Sequence, residues 1–286
     1  PYECIEQTVS RFLPNVITYR ALKQLGVSNK ELETRLPQLV GVALQRIYAA
    51  QHFDGGWGWW VNEESDDYLT AYVLLGLTEA HKAGFLVDKQ ALERAAQFFD
   101  KRLPSLKGDF NVWELNREVF KLYALANYAG IAGGKGQEMS RAVQLYDQRA
   151  KLGVWAKALL AQSFALLDPK EKSRIDTLLA DISGAAIVSA TGAHWEEASP
   201  DWRNMNTDTR TTAIVLSLLA RHDPKNALGP NAVRWLMAAR KEGRWESTYE
   251  TVWALLGLTD WMVATGELEA DYKYVLVIRL QFACGD

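Results

Sequence analysis

The stretch LTAYVLLGLT, residues 69–78, decides the fold because a close copy, ETVWALLGLT, stands at residues 250–259. The two copies agree at a threonine, at an aromatic position and at the run Leu-Leu-Gly-Leu-Thr. A looser third copy is TTAIVLSLLA at 211–220, and weaker relatives occur at 117–130 and 154–167. The chain therefore repeats a unit at intervals of roughly 40 to 55 residues, which fits one helical pair per unit.

The repeated segments and the segments between them differ in polarity. The copies are apolar nearly all round, as expected of a helix that is buried on every side. By contrast, DKQALERAAQFFDKR at 88–102 carries Leu92, Ala95 and Phe99 on one stripe and Lys89 and Glu93 on another. Buried helices that alternate with one-sided helices predict an all-α fold of two concentric layers of helical hairpins, an α/α toroid.

The two ends of the chain indicate its domain organisation. YKYVLVIRLQF at 272–282 has the β-branched and aromatic content of a strand. We therefore expect a toroid domain over residues 1–270 and a return segment toward a neighbouring β domain over 271–286. Because residue 1 stands only three positions before Cys4, we also expect the chain to be a piece of a longer protein.

Composition excludes several classes of function. The net charge is −3, from 32 basic and 35 acidic residues without a basic cluster, which argues against nucleic acid or an anionic membrane as partner. No apolar run approaches the roughly 20 residues that span a bilayer, so we expect no membrane insertion by this segment. The histidines show no ligand spacing with one another or with Cys4 and Cys284, so neither a metal nor another cofactor is expected. Cys284 has no assignable role.

The opening residues PYECIEQTVS, 1–10, place Cys4 three residues before Gln7 in what reads as the first helix. Side chains at positions i and i+3 are neighbours on a helical turn, so the Cys4 thiol and the Gln7 carboxamide can meet. A helix N-terminus also favours the thiolate, which is the attacking form of a cysteine. By spacing alone, an inert buried Cys4 and a solvated Gln7 remain the simpler interpretation.

CIEQT at the head of a helical toroid resembles the Cys-Gly-Glu-Gln, or bacterial Cys-Leu-Glu-Gln, signature of the thioester domain in the alpha-2-macroglobulin and complement family, and specifically its bacterial branch. Residues 57–73 look like that domain's early repeats, and the resemblance extends to about residue 270. It implies an internal thioester between Cys4 and Gln7, with Glu6 as the glutamate of the motif.

The resemblance also implies a function. It implies a single-use protease trap and not an enzyme: a protease cuts a bait region, neighbouring domains of the same chain stop shielding the thioester, and an amine of the protease is captured covalently. The implied location is periplasmic or at the cell surface.

The motif departs from the family in places. Glu3 replaces the usual glycine, and its carboxylate would oppose thiolate formation. Some complement members use a histidine that redirects the thioester toward hydroxyl groups, and GDFNVWELN at 108–116 has none. We therefore expect direct attack by amines. His194, in AHWEE, is a candidate modulator, and a polar cap to a tryptophan-lined turn is the alternative role for it.

Two other functions stay open on the sequence. QHFDGGWGW at 51–59 is similar to the Gln-Trp motif of triterpene cyclases, which share the toroid, and SDDY at 65–68 supplies two carboxylates, Asp66 and Asp67. Helix capping explains both acids without chemistry, and we expect the tryptophan-rich turns to be structural. A toroid that keeps the motif without forming the thioester would act as an interaction module.

Overall fold

The computed structural model describes residues 4–100, 102, 106, 108–133 and 136–266, and most of them are helical. One set of helices lines the interior: α1 (Ile5–Gln24), α3 (Asp67–Lys82), α5 (Val112–Ala132), α7 (Val154–Leu167), α9 (Asp208–His222) and α11 (Thr248–Thr265). The other set lies outside them: α2 (Lys30–Ala49), α4 (Lys89–Asp100), α6 (Gln137–Asp147), α8 (Lys172–Gly184) and α10 (Leu228–Ala238).

The inner helices close into a ring. Each packs against the next inner helix along the chain, and α11 packs back against α1. Each outer helix returns the chain between two inner helices, so the inner helices run parallel and all begin at one end, which we call the N-terminal face. The predicted all-α toroid of two concentric layers is confirmed.

Burial separates the two layers as the sequence predicts. Residues 68–80 of α3 and 210–220 of α9 are buried without interruption. The outer helix α4 instead buries one face, through residues such as Leu92, Ala95 and Phe99. A helix surrounded by neighbours needs apolar residues all round, whereas an outer helix needs only a stripe.

Three of the tryptophans close the turns between outer and inner helices. Trp57, Trp195 and Trp245 are buried, and each indole Nε1–H donates to a carbonyl near the end of the preceding outer helix. The acceptors are Ile47 at 2.8 Å, Ile182 at 2.7 Å and Leu236 at 3.0 Å. Carbonyls at a helix end lack partners within the helix, so these side chains are structural, as predicted.

The structure differs from the sequence prediction in the segment before α9. A short antiparallel hairpin, β1 (Ile187–Ser189) and β2 (Gly192–His194), precedes α9, although no strand was expected before residue 272. Strands of three residues are too short to show an alternating pattern. Pro14 lies inside α1, which begins at Ile5. The strand predicted within 271–286 lies outside the described residues.

Candidate functional site

Cys4 caps the first inner helix. Its backbone is extended, with φ −70° and ψ 165°, and its Sγ accepts a hydrogen bond from the backbone N–H of Gln7 at 3.5 Å. Its carbonyl accepts the first helical bond, from the N–H of Thr8 at 3.0 Å. Cys4 thus stands one position before the first turn, with its Sγ at the backbone N–H of Gln7.

This arrangement is one half of a capping box, in which the cap side chain bonds the third helical residue and that residue's side chain reaches back to the cap. Complete boxes with the same spacing open two other inner helices: Asn111 with Glu114 at α5, and Ser247 with Glu250 at α11. Cys4 and Gln7 occupy the corresponding positions of α1. The cap geometry thus explains why the Cys4 thiol lies at the N–H of Gln7, the residue whose carboxamide the sequence analysis pairs with it.

The start of α1 is fixed to the tryptophan-rich turn and open to solvent. The N–H of Ile5 donates to the carbonyl of Trp59 at 3.1 Å, and the Ile5 side chain is buried. Cys4 is partly exposed and Gln7 is exposed. A soluble nucleophile therefore has access to this corner in the isolated domain. Glu3 lies outside the described residues.

Glu6 faces a different way from Gln7. Its Oε1 accepts a hydrogen bond from the Ser10 hydroxyl at 2.5 Å, and the same hydroxyl lies 3.0 Å from the hydroxyl of Tyr72 in α3. Sequence reasoning missed both partners. The i to i+4 spacing of Glu6 and Ser10 indicates the first contact, but nothing in the sequence indicates Tyr72.

His194 is not brought to the Cys4–Gln7 corner by any contact among the described residues. It ends β2, and its ring stacks on Trp235 of the outer helix α10 with centroids 4.6 Å apart and planes 2° apart. Its Nε2 lies 2.9 Å from Glu196 Oε1. These contacts fit the alternative role, that of a polar group covering a tryptophan-lined turn.

The two acids proposed for a cyclase have structural partners. Asp66 caps α3, where its Oδ1 accepts from the N–H of Leu69 at 2.8 Å, and Asp67 forms an ion pair with Lys121 at 3.1 Å. Helix capping therefore accounts for Asp66 without chemistry.

The space between α1, α3 and α11 does not suit a cyclase either. The cavity between Leu13, Tyr72 and Trp253 holds only about 10 Å³, room for about one water molecule and not for a terpenoid. The fully buried cation Arg210 lies among aromatic rings, 4.1 Å from that of Trp155. A buried cation would repel a carbocation intermediate.

Among the described residues, Glu79 is the one carboxyl that lines this cavity. Burial alone would raise the pKa of Glu79, but Lys82, Arg20 and Arg221 together hold that pKa below its usual value. Glu79 is therefore not a proton donor of the kind a cyclase needs.

Other kinds of site receive no support from the described part of the chain. No group of three or more histidine, cysteine or acidic side chains there is arranged to hold a metal ion. None of its helices combines the length and apolarity needed to cross a membrane.

Comparison with known proteins places the chain in a family. The sequence model of the A-macroglobulin TED domain matches residues 1–261. An alpha-2-macroglobulin of Thermotoga maritima is 32% identical over 171 residues, which are 58% of this chain and 10% of that protein. The chain thus spans about a tenth of this curated relative.

Solved structures of bacterial alpha-2-macroglobulins share the fold. Native Escherichia coli alpha-2-macroglobulin, from domain MG7 to its C-terminus, matches with a TM-score of 0.65 and 20% identity, over 91% of this chain and 40% of that one. Salmonella alpha-2-macroglobulin reacted with methylamine matches with a TM-score of 0.68 and 19% identity, over 91% of this chain and 16% of that one. With a family match over nearly its whole length, the chain belongs to the A-macroglobulin TED domain family.

Proposed function

We propose that this chain is the thioester-bearing domain of a macroglobulin-type protease trap. The observation that carries the proposal is the position of Cys4 Sγ on the N–H of Gln7, at the solvent-exposed start of α1. In the proposed reaction the Cys4 sulfur attacks the side-chain carbonyl carbon of Gln7. A carbon–sulfur bond forms, the carbon–nitrogen bond breaks, and ammonia leaves with the proton of the thiol.

The thioester then acts once as an acyl donor. An amine of the target, such as a lysine side chain, attacks the Gln7 acyl carbon, the carbon–sulfur bond breaks, and the proton lost by the amine ends on the Cys4 sulfur. The reaction proceeds because a thiolate is a better leaving group than an amide nitrogen. The product is an amide between Gln7 and the target. The domain is consumed in this reaction and is not a turnover catalyst.

The exposure of Cys4 and Gln7 implies that neighbouring domains protect the thioester. Because Cys4 and Gln7 lie at the surface of the described domain, an intact thioester needs cover from other parts of the full-length protein until a protease cuts it. Related proteins give this support: one neighbouring structure is of Salmonella alpha-2-macroglobulin reacted with methylamine, and another is of trypsin-activated Escherichia coli alpha-2-macroglobulin. We place the protein in the periplasm or at the cell surface by analogy with that family.

Capture of a protease tests the proposal. Full-length protein is incubated with trypsin, the products are separated under denaturing conditions, and the linking peptide is identified by mass spectrometry. We expect a conjugate that joins Gln7 to a trypsin lysine. Cys4→Ser keeps a capping oxygen and Gln7→Glu keeps a capping-box side chain, so both variants should fold and form no conjugate. A conjugate in either variant, or none in the wild type, would contradict the proposal; the latter result would favour the interaction-module alternative.

A further inference from the structure

Glu6 is the last acceptor in a hydrogen-bond relay that the hydroxyl groups of Tyr72 and Ser10 form. Ser10 Oγ lies 2.5 Å from Glu6 Oε1 and 3.0 Å from the Tyr72 hydroxyl. A carboxylate only accepts hydrogen bonds and a serine has one proton to give, so Ser10 donates to Glu6 and Tyr72 donates to Ser10. Burial raises the pKa of Tyr72 well above its usual value, and the phenol therefore keeps the proton that it donates.

This hydrogen-bond relay connects the start of α1, which carries Cys4 and Gln7, to the interior of the toroid. Tyr72 belongs to α3 and is fully buried, and Ser10 is buried beside it. Consecutive residues point about 100° apart around a helix, so Glu6 bonds inward while Gln7 is exposed. Glu6 thus holds the segment that carries Cys4 and Gln7 without lying on their face.

Pro14 makes this connection between the start of α1 and α3 more important. Proline has no N–H, so the carbonyl of Ser10 does not receive the regular bond from the residue four positions later. The first turns of α1 are therefore less firmly joined to the rest of the helix. Beside the packing of their buried apolar side chains, two sets of hydrogen bonds join them to neighbouring elements: the N–H of Ile5 on the Trp59 carbonyl, and the relay from Glu6 through Ser10 to Tyr72.

We propose that Glu6, Ser10 and Tyr72 are positioning residues for thioester formation, which they favour by holding the turn that carries Cys4 and Gln7. This inference rests on the proposed function. Reactions between two held groups depend steeply on geometry, and a displacement of about 1 Å costs up to roughly a hundredfold in rate. Loss of the hydrogen bonds from Tyr72 through Ser10 to Glu6 should therefore reduce thioester formation far more than it disturbs the fold.

Variants of the full-length protein test the inference, with the fraction of chains short by one ammonia in intact mass as the readout. We expect at least a tenfold fall in that fraction for Glu6→Ala and Ser10→Ala. Glu6→Gln should retain most of it, because the amide oxygen still accepts from Ser10. Tyr72→Phe should fall between these results. Thermal unfolding of each variant verifies that it is folded.

Ser217→Ala is the matched control. Ser217 also sits on an inner helix and donates to a carboxylate, Asp260, at 2.6 Å, but it lies near the opposite end of the ring. It should lose a similar bond and leave the thioester fraction unchanged.

Three results would overturn the inference alone: a normal fraction in Ser10→Ala, an equal loss in Ser217→Ala, or a loss in Glu6→Gln as large as in Glu6→Ala. A wild-type protein without a thioester would contradict the proposed function and, with it, this inference.

Discussion

Gly76 and Gly257 occupy the same place in the two best copies of the repeat, yet we expect opposite results when each is replaced by alanine. An added Cβ at Gly257 would lie 2.4 Å from the backbone oxygen of Ala213, where α11 packs on α9. At Gly76 the nearest atom is a side-chain methyl of Val9 at 3.4 Å. The first contact is about 1 Å too short and involves backbone, so the two helices must separate; the second is close to ordinary contact.

The structure sets the magnitudes. Overpacking costs about 1–3 kcal/mol, and the upper end applies at Gly257 because backbone cannot rotate away. Alanine gains about 1 kcal/mol over glycine within a helix. Gly257→Ala should therefore lower the free energy of unfolding by about 2 kcal/mol, whereas Gly76→Ala should leave it unchanged or raise it by up to about 1 kcal/mol.

Thermal unfolding followed by circular dichroism measures the difference. At about 2–4 °C per kcal/mol for a domain of this size, the two variants should differ in Tm by roughly 4–12 °C. Equal Tm values for the two variants would refute the close approach of α9 and α11 and with it the described closure of the ring.

Three further changes have defined outcomes. Cys4→Ser should abolish reaction with methylamine while changing the free energy of unfolding by less than about 1 kcal/mol, because serine is a good cap; this is checked by mass spectrometry and urea unfolding. Trp57→Phe should cost about 1–3 kcal/mol in urea unfolding, because the Ile47 carbonyl loses its indole donor. Glu79→Gln should cost about 1.5–3 kcal/mol at pH 7, because Arg20 and Lys82 lose a buried carboxylate partner while Arg20 keeps Asp260. Because the pKa of Glu79 is lowered in the folded state, that difference should be complete above about pH 4.3 and shrink as the pH falls through the lowered pKa.

The fold could be predicted because the inner helices repeat. A helix surrounded by neighbours must be apolar all round. The sequence shows this requirement as near-identical apolar runs at 69–78 and 250–259. The hairpin at 187–194 could not be predicted, because strands of three residues carry no measurable alternation and because contact with α10 supports them. There an added Cβ on Gly192 would lie 2.3 Å from the Asn231 carbonyl oxygen.

The candidate site was predictable in its spacing and not in its surroundings. Cys4 and Gln7 stand at the positions that serine and glutamate fill at the start of α11, so local helix chemistry is enough to place the Cys4 Sγ at the N–H of Gln7. Tyr72 is 62 residues from Ser10 and meets it only because the ring places α3 beside α1. The different surroundings of Gly76 and Gly257 are likewise a property of the assembled ring and not of the repeat.

The existence of the Cys4–Gln7 bond is tested most directly by the intact mass and free-thiol count of the full-length protein before and after methylamine. We predict that the native mass is lower than that of the sequence by one ammonia and that no reactive Cys4 thiol is present. After methylamine we predict one added methylamine, mapped to Gln7, and one new thiol at Cys4. A native mass equal to that of the sequence, with the Cys4 thiol already free and no adduct at Gln7, would contradict the existence of this bond.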